Sequence, residues 1–377
     1  MPDTIAAARA RPGVRTSALK ELLAHGQSCW LDDLTRRMIR SGELAGLIAQ
    51  GVRGVTANPA TFSKAIIGGR DYDDDIARAA AQGLDPPAIY ERLAVADVRE
   101  ACDILRPAYD DSEGADGFVS LEVSPHLAHD ANASIAEARR LWQAVDRPNL
   151  FIKVPGTEAG LPAIEQCLAD GININITLLF SVDRYEQVAE VYLRALERRL
   201  AAGQPIDRIA SVASFFLSRI DVLVDEMLQG KRADGKHLLG KVAVANAKLA
   251  YQGFQRLVDA PRWRALEAQG ARVQRLLWAS TGTKNPAYPV LMYVAPLIGR
   301  MTVNTMPLAT IKAFCEDGLV ADTLEDGVAV ARRVMSELER LGIDFAAVAA
   351  RLESEGVQKF IEPFDALMRH IDARRHG

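Results

Sequence analysis

The chain has 377 residues, 49% hydrophobic and 25% charged, enough apolar matter for a large core and too much for a disordered or fibrous polymer. Its formal charge of −4, with no basic stripe among 45 lysines and arginines, excludes a non-specific binder of nucleic acid or acidic membranes. Cys29, Cys102, Cys167 and Cys315 form no C-x-x-C pair, and no apolar run approaches the roughly 18 residues of a membrane span, so we expect a cytoplasmic protein with no disulfide framework, zinc ribbon or membrane segment.

The Ala/Arg-rich N-terminus lacks the apolar core of a secretory signal, and residues 1–25 read as an added, largely helical segment. Ser28–Asp33 reads as a strand followed by a helix over Thr35–Ala49, the first β-then-α unit. A second strand, Arg53–Asn58, stops at Pro59, which lacks the N–H that ladder pairing requires. Further short apolar segments follow at Gly117–Val123, Leu150–Val154, Ile172–Ile176, Ile209–Phe215, Leu276–Ser280 and Met301–Thr305. Helical periodicity fills the gaps, most clearly over Asp183–Leu200, and again over Lys241–Tyr251 and Val328–Leu341. Eight alternating units with no Gly/Ser linker predict an α/β fold, a single (β/α)8 TIM barrel spanning 1–377, with additional helices near 1–25, 63–116 and 218–272.

Only ten of the 45 basic residues are lysines, and one of them interrupts an apolar strand. In Leu150-Phe-Ile-Lys-Val-Pro155, alternation puts Leu150, Ile152 and Val154 on one face and Phe151 and Lys153 on the other. With the aliphatic face toward the helices, Lys153 points into the barrel near the C-terminal mouth, where barrel active sites lie. Apolar surroundings disfavour an ammonium and make a free amine available to attack a carbonyl. Taken alone, the pattern also fits a lysine that snorkels to solvent or pairs with a carboxylate.

Polar residues recur at the other strand ends: Asp32, Thr56 with Asn58, Ser120 with Glu122, Asn175 with Thr177, Ser214 and Ser280. Any one has a structural explanation, since Asp33 or Thr35 can cap a helix and Asn58-Pro59 can turn the chain. Glu122 resists that explanation. In Phe118-Val-Ser-Leu-Glu-Val123 it shares an inward face with Ser120 while Val119 and Leu121 form the apolar side, the pattern of a strand facing a polar cavity.

These residues resemble the transaldolase family: Gly54-Val-Thr-Ala-Asn-Pro59 its second-strand signature, Leu150–Pro155 its Schiff-base strand, and Ile174-Asn-Ile-Thr-Leu-Leu-Phe-Ser181 its fifth strand. The resemblance runs from Cys29 to Thr305 and, by length, points to the long bacterial subgroup. It implies small sugar-phosphate substrates, no metal or organic cofactor, and transfer of a dihydroxyacetone unit between ketose and aldose phosphates in the pentose phosphate pathway. It also implies Lys153 as the imine-forming nucleophile, Asp32 as the base for carbon–carbon cleavage, and Glu122 as a proton shuttle through a water held by Thr177. Asn58 and Asn175 would bind hydroxyls of the three-carbon unit, with Thr56, Ser120 and Ser214 beside them. Arg219 and Ser280 would hold the distal phosphate. Where shorter members carry a second arginine after the seventh strand, this chain has Lys284, a point charge without the bidentate fork, or else an ordinary exposed loop lysine.

His126-Leu-Ala-His129 could suggest a divalent metal, but H-x-x-H aligns two imidazoles poorly on a helix, and Asp130 is better read as the cap of a helix starting at Ala131. The run Asp71–Asp75 lacks calcium-loop spacing and reads as a solvated loop or helix start. Two other functions fit the same residues. One is a Schiff-base aldolase that releases free aldehyde, distinguished by whether an acceptor aldose phosphate is used; the other is a barrel scaffold without catalysis, distinguished by the lack of any imine. The sequence sets no oligomeric state.

Overall fold

The structure, a computed structural model, describes residues 17–230 and 233–375. Eight parallel strands run in chain order: β1 (Gln27–Leu31), β2 (Val52–Thr56), β3 (Phe118–Glu122), β4 (Leu150–Pro155), β5 (Ile174–Leu179), β6 (Ser211–Phe216), β7 (Arg275–Ala279) and β8 (Thr302–Met306). The last pairs with the first and closes the barrel. All eight expected strands are present.

The largest displacement is in β5, expected over Ile172–Ile176. Its entry is delayed because the Asn173 side chain substitutes for the ladder, donating to the carbonyls of Pro148 and Leu150 and accepting from the amide of Ala210. Its far end continues through a register shift between Ile176 and Leu179, with Leu178 in the left-handed region at φ 64°. The helix expected over Thr35–Ala49 is two helices, Arg36–Arg40 and Glu43–Gln50, broken where Gly42 adopts φ 79°. Thr35 caps the first, accepting from the Met38 amide.

The expected helical additions at 63–116 and 218–272 are present as Pro59–Ile67, Asp73–Ala81 and Pro86–Asp111, and as Ser218–Gln229, Val242–Asp259 and Pro261–Glu267. Of the N-terminal addition, Ala18–Ala24 is helical and residues 1–16 lie outside the described residues. The acidic run starts the helix at Asp73, and Asp75 pairs with Arg36, whose guanidinium also binds Asp97 at 2.8 Å. Among the described residues no helix is long and apolar enough to cross a membrane.

The barrel interior is layered. At the N-terminal end, Asp116 accepts from Ser28, from Trp30 Nε1 at 2.8 Å and from Arg275. Above it sits an aromatic layer in which Phe118 and Phe151 lie 4.3 Å apart and Trp30 lies 6.0 Å from Phe151 and 6.3 Å from Phe118. Trp30 fits because β2 offers glycine opposite it: a Cβ at Gly54 would come within 2.5 Å of the indole ring. The indole is packed on all sides and has nowhere to retreat. Gly54→Ala is therefore expected to destabilise the fold by about 1–3 kcal/mol through overpacking, seen as a lower midpoint in denaturant titration. An unchanged midpoint would show that the layer is looser than this packing implies.

The C-terminal helix, Phe345–Arg375, packs on the helices Pro59–Ile67, Asp73–Ala81, Pro86–Asp111 and Ser218–Gln229 and reaches β5. It thereby crosses the end of the barrel where the strands finish.

Candidate active site

A cavity of about 190 Å³ opens at the C-terminal ends of the strands. Its wall takes Asp32 after β1, Thr56 and Asn58 from the end of β2, Lys153 on β4, Thr177 on β5, Ser214 on β6, Arg219 just inside the following helix, and Ser280 and Lys284 after β7. Nine of the twelve residues singled out in the sequence thus meet in one place. Ser120, Glu122 and Asn175 are not on this wall; they stand directly behind it.

Lys153 is 5% exposed, and its Nζ lies 2.9 Å from Oε2 of Glu122, which is likewise 5% exposed. The pairing follows from register, because Glu122 and Lys153 are direct partners across β3 and β4. Inward placement and carboxylate pairing, alternatives when read from the strand pattern, are both true of this lysine. Oε1 of Glu122 accepts no hydrogen bond from the protein. Burial pushes the Glu122 carboxyl above the usual range, opposed first by Lys153 and then by Arg219, with Asp32 adding to the rise.

Asp32 is also raised by burial, opposed by Lys153, by a hydrogen bond from Thr56 and by Lys284 and Arg219. Thr56 Oγ1 lies 3.0 Å from Asp32 Oδ1 and 2.8 Å from Thr305 Oγ1, so one hydroxyl is fixed between strand and acid. Beneath the cavity, Ser214 donates to Asn175 at 2.6 Å and Asn175 donates to Ser120 at 3.0 Å. This row lies across β6, β5 and β3, and it orients the amide that the sequence pattern placed at the mouth itself. Asn58 does two things. Its Oδ1 accepts from the Thr61 amide and caps the helix Pro59–Ile67, while the side chain remains on the cavity wall.

Two further polar groups face the cavity without a partner in the protein: Oγ1 of the fully buried Thr177 and Nη1 of Arg219. The Arg219 guanidinium lies over the rings of Phe216 and Phe360, 5.2 and 5.5 Å from their centroids. Burial disfavours its charge, and Glu122 and Asp32 oppose that effect. Lys284 is exposed at the rim, on a loop after Ser280, whose backbone takes φ 56°. A cationic rim over a pair of buried carboxyls can hold an anionic substrate end while the other end meets the amine.

Sequence reasoning missed Thr305, Pro307, Phe216 and above all Phe360, which closes the wall from the C-terminal helix. Thr305 and Phe216 lie at strand ends and were open to the same argument that found Ser214. Phe360 carried no signal, because an apolar residue at helical spacing reads as packing. Of the residues weighed as a metal site, His126 pairs with Asp365, its Nε2 at 2.7 Å, and Asp130 caps the helix Ala131–Val145 through the Ala133 amide.

A closed eight-stranded barrel with a buried lysine, two raised carboxyls and a guanidinium at its C-terminal mouth has the makings of a lysine-dependent carbonyl enzyme. The chain belongs to the transaldolase/fructose-6-phosphate aldolase family, whose model matches residues 29–371. It is 50% identical over 369 residues to Transaldolase 2 of Nostoc sp. (strain PCC 7120 / SAG 25.82 / UTEX 2576), covering 94% of this chain and 97% of that one. It is 48% identical over 350 residues to the transaldolase of Neisseria gonorrhoeae (strain ATCC 700825 / FA 1090), covering 93% and 98%. Among solved structures, a 2,3-dimethylmalate lyase aligns over 87% of this chain and 88% of its own at 10% identity, with a TM-score of 0.26.

Proposed function

We propose that the protein is a transaldolase, moving a dihydroxyacetone unit between sugar phosphates (sedoheptulose 7-phosphate + glyceraldehyde 3-phosphate = erythrose 4-phosphate + fructose 6-phosphate) through a Schiff base on Lys153. The observation that carries this reading is the placement of one buried amine 2.9 Å from a carboxyl, in a cavity that also holds a second carboxyl and the Arg219 guanidinium, whose Nη1 has no hydrogen-bond partner among the described residues. Lys153 Nζ attacks the ketose carbonyl while Glu122, with a water held by Thr177, takes up and returns the protons that turn the carbinolamine into a protonated imine. Asp32, oriented by Thr56, takes the proton from the C4 hydroxyl. The C3–C4 electrons pass into the imine, and the aldose phosphate leaves. The enamine then adds to the acceptor aldehyde, and hydrolysis frees Lys153. Asn58 and Asn175 hold hydroxyls of the three-carbon unit, with Ser120 and Ser214 fixing Asn175. Arg219, Ser280 and Lys284 receive the distal phosphate. A cytoplasmic setting fits four cysteines that are all free thiols.

The test is chemical capture. Borohydride added with fructose 6-phosphate should fix a three-carbon unit to the peptide bearing Lys153, read by mass spectrometry, and Lys153→Arg should abolish the mark. A label on any other lysine, or none, would end this reading.

A further inference from the structure

Phe360 belongs to no strand end and to none of the chemistry above, yet its ring lies over the amine. It is 5% exposed, its centroid lies 5.4 Å from Lys153 Nζ, and it closes the cavity from the solvent side. The way the C-terminal helix is seated brings it there. Gly356, one turn earlier on the same face, lets the helix backbone come down on β5: a Cβ at that position would lie 2.9 Å from Leu178 Cδ2 and 3.5 Å from Arg219 Nη1. One turn later Phe364 is clamped edge-on against Tyr90 at 5.4 Å, and Tyr90 against Phe62 at 5.9 Å. The ring is thus held from both sides rather than resting on the surface.

We propose that Phe360 is a specificity-determining residue that decides whether the bound three-carbon unit is transferred or lost to water. The proposal rests on Lys153 carrying that unit. After the first aldose phosphate leaves, the enamine has two fates. It adds to an acceptor aldehyde, or it takes a proton on carbon, water adds to the resulting iminium carbon, and the carbinolamine collapses to free dihydroxyacetone and the Lys153 amine. The second course consumes one water and nothing else. A buried ring face over the nitrogen restricts the bulk solvent that would supply this course, so the enamine waits for an acceptor, while the water held by Thr177 serves the hydrolysis that closes the cycle.

Phe360→Leu should raise dihydroxyacetone released per transfer event by about tenfold or more, because the shorter aliphatic side chain leaves the roof unfilled and admits solvent. Phe360→Tyr should keep the ratio near that of the unaltered chain. Release is measured with fructose 6-phosphate alone, transfer with an added aldose phosphate acceptor, and melting temperature is followed in each variant. A ratio within twofold of the unaltered chain in well-folded Phe360→Leu overturns the proposal, as does a Phe360→Tyr ratio as high as that of Phe360→Leu. Absence of any borohydride adduct in the unaltered chain would instead sink the Schiff-base reading itself.

Discussion

Lys153→Arg is expected to reduce transfer by roughly 10⁵–10⁶-fold, the scale on which enzymes fail when a covalent nucleophile is removed. Arginine is the informative replacement. It keeps a positive charge beside Glu122, so the buried carboxyl retains its partner and the fold is not asked to hold a lone charge. Its guanidinium stays protonated at every working pH and does not condense with a ketone. Steady-state turnover and borohydride capture should therefore vanish together while the melting temperature moves little. Residual turnover above about one part in a hundred in a folded variant would mean that another group carries the carbonyl chemistry.

Glu122→Gln and Asp32→Asn should each cost about 10²–10⁴-fold, but at different steps. Glu122 touches the amine directly, so its amide variant should form and hydrolyse the imine slowly while cleaving it normally once formed. Asp32 stands across the cavity, held by Thr56, and its variant should form the imine and then stall. Borohydride then captures a six-carbon rather than a three-carbon adduct on Lys153. The pH dependence follows from the same burial. In the proposed cycle Asp32 is the base and must be unprotonated; burial raises its carboxyl, so on acidification it takes up a proton sooner than an ordinary aspartate at about 3.9. The acid limb of kcat/KM is expected above that value and should disappear in Asp32→Asn. Equal three-carbon labelling in both variants would refute the division of roles.

Much of this was legible in the residue pattern because a barrel strand shows its two faces alternately in sequence. Lys153 and Glu122 each broke an apolar alternation, and the parallel register then made them neighbours. The clustering of Asp32, Thr56, Thr177 and Ser214 followed from all strands ending at one mouth. What stayed hidden depends on contacts between distant segments. That Asn175 sits behind the wall, bridged to Ser120 and to Ser214 on the wall itself, is set by how three strands stagger, which alternation alone does not state. The break at Gly42 was a local signal passed over in favour of continuous helical spacing. Phe360 was out of reach, since nothing in a helix's own periodicity says which apolar residue covers packing and which covers an amine.

The tilted rings of Trp30, Phe118 and Phe151 have a kinetic consequence. They fill the barrel below the chamber around Lys153, and among the described residues that chamber opens at the C-terminal ends of the strands. Donor and acceptor sugars cannot pass through in line; they must queue. The first aldose has to depart before the second comes in, and initial-rate plots against either sugar should give parallel lines, the mark of a double-displacement cycle in which the protein itself holds the carbon cargo between visitors.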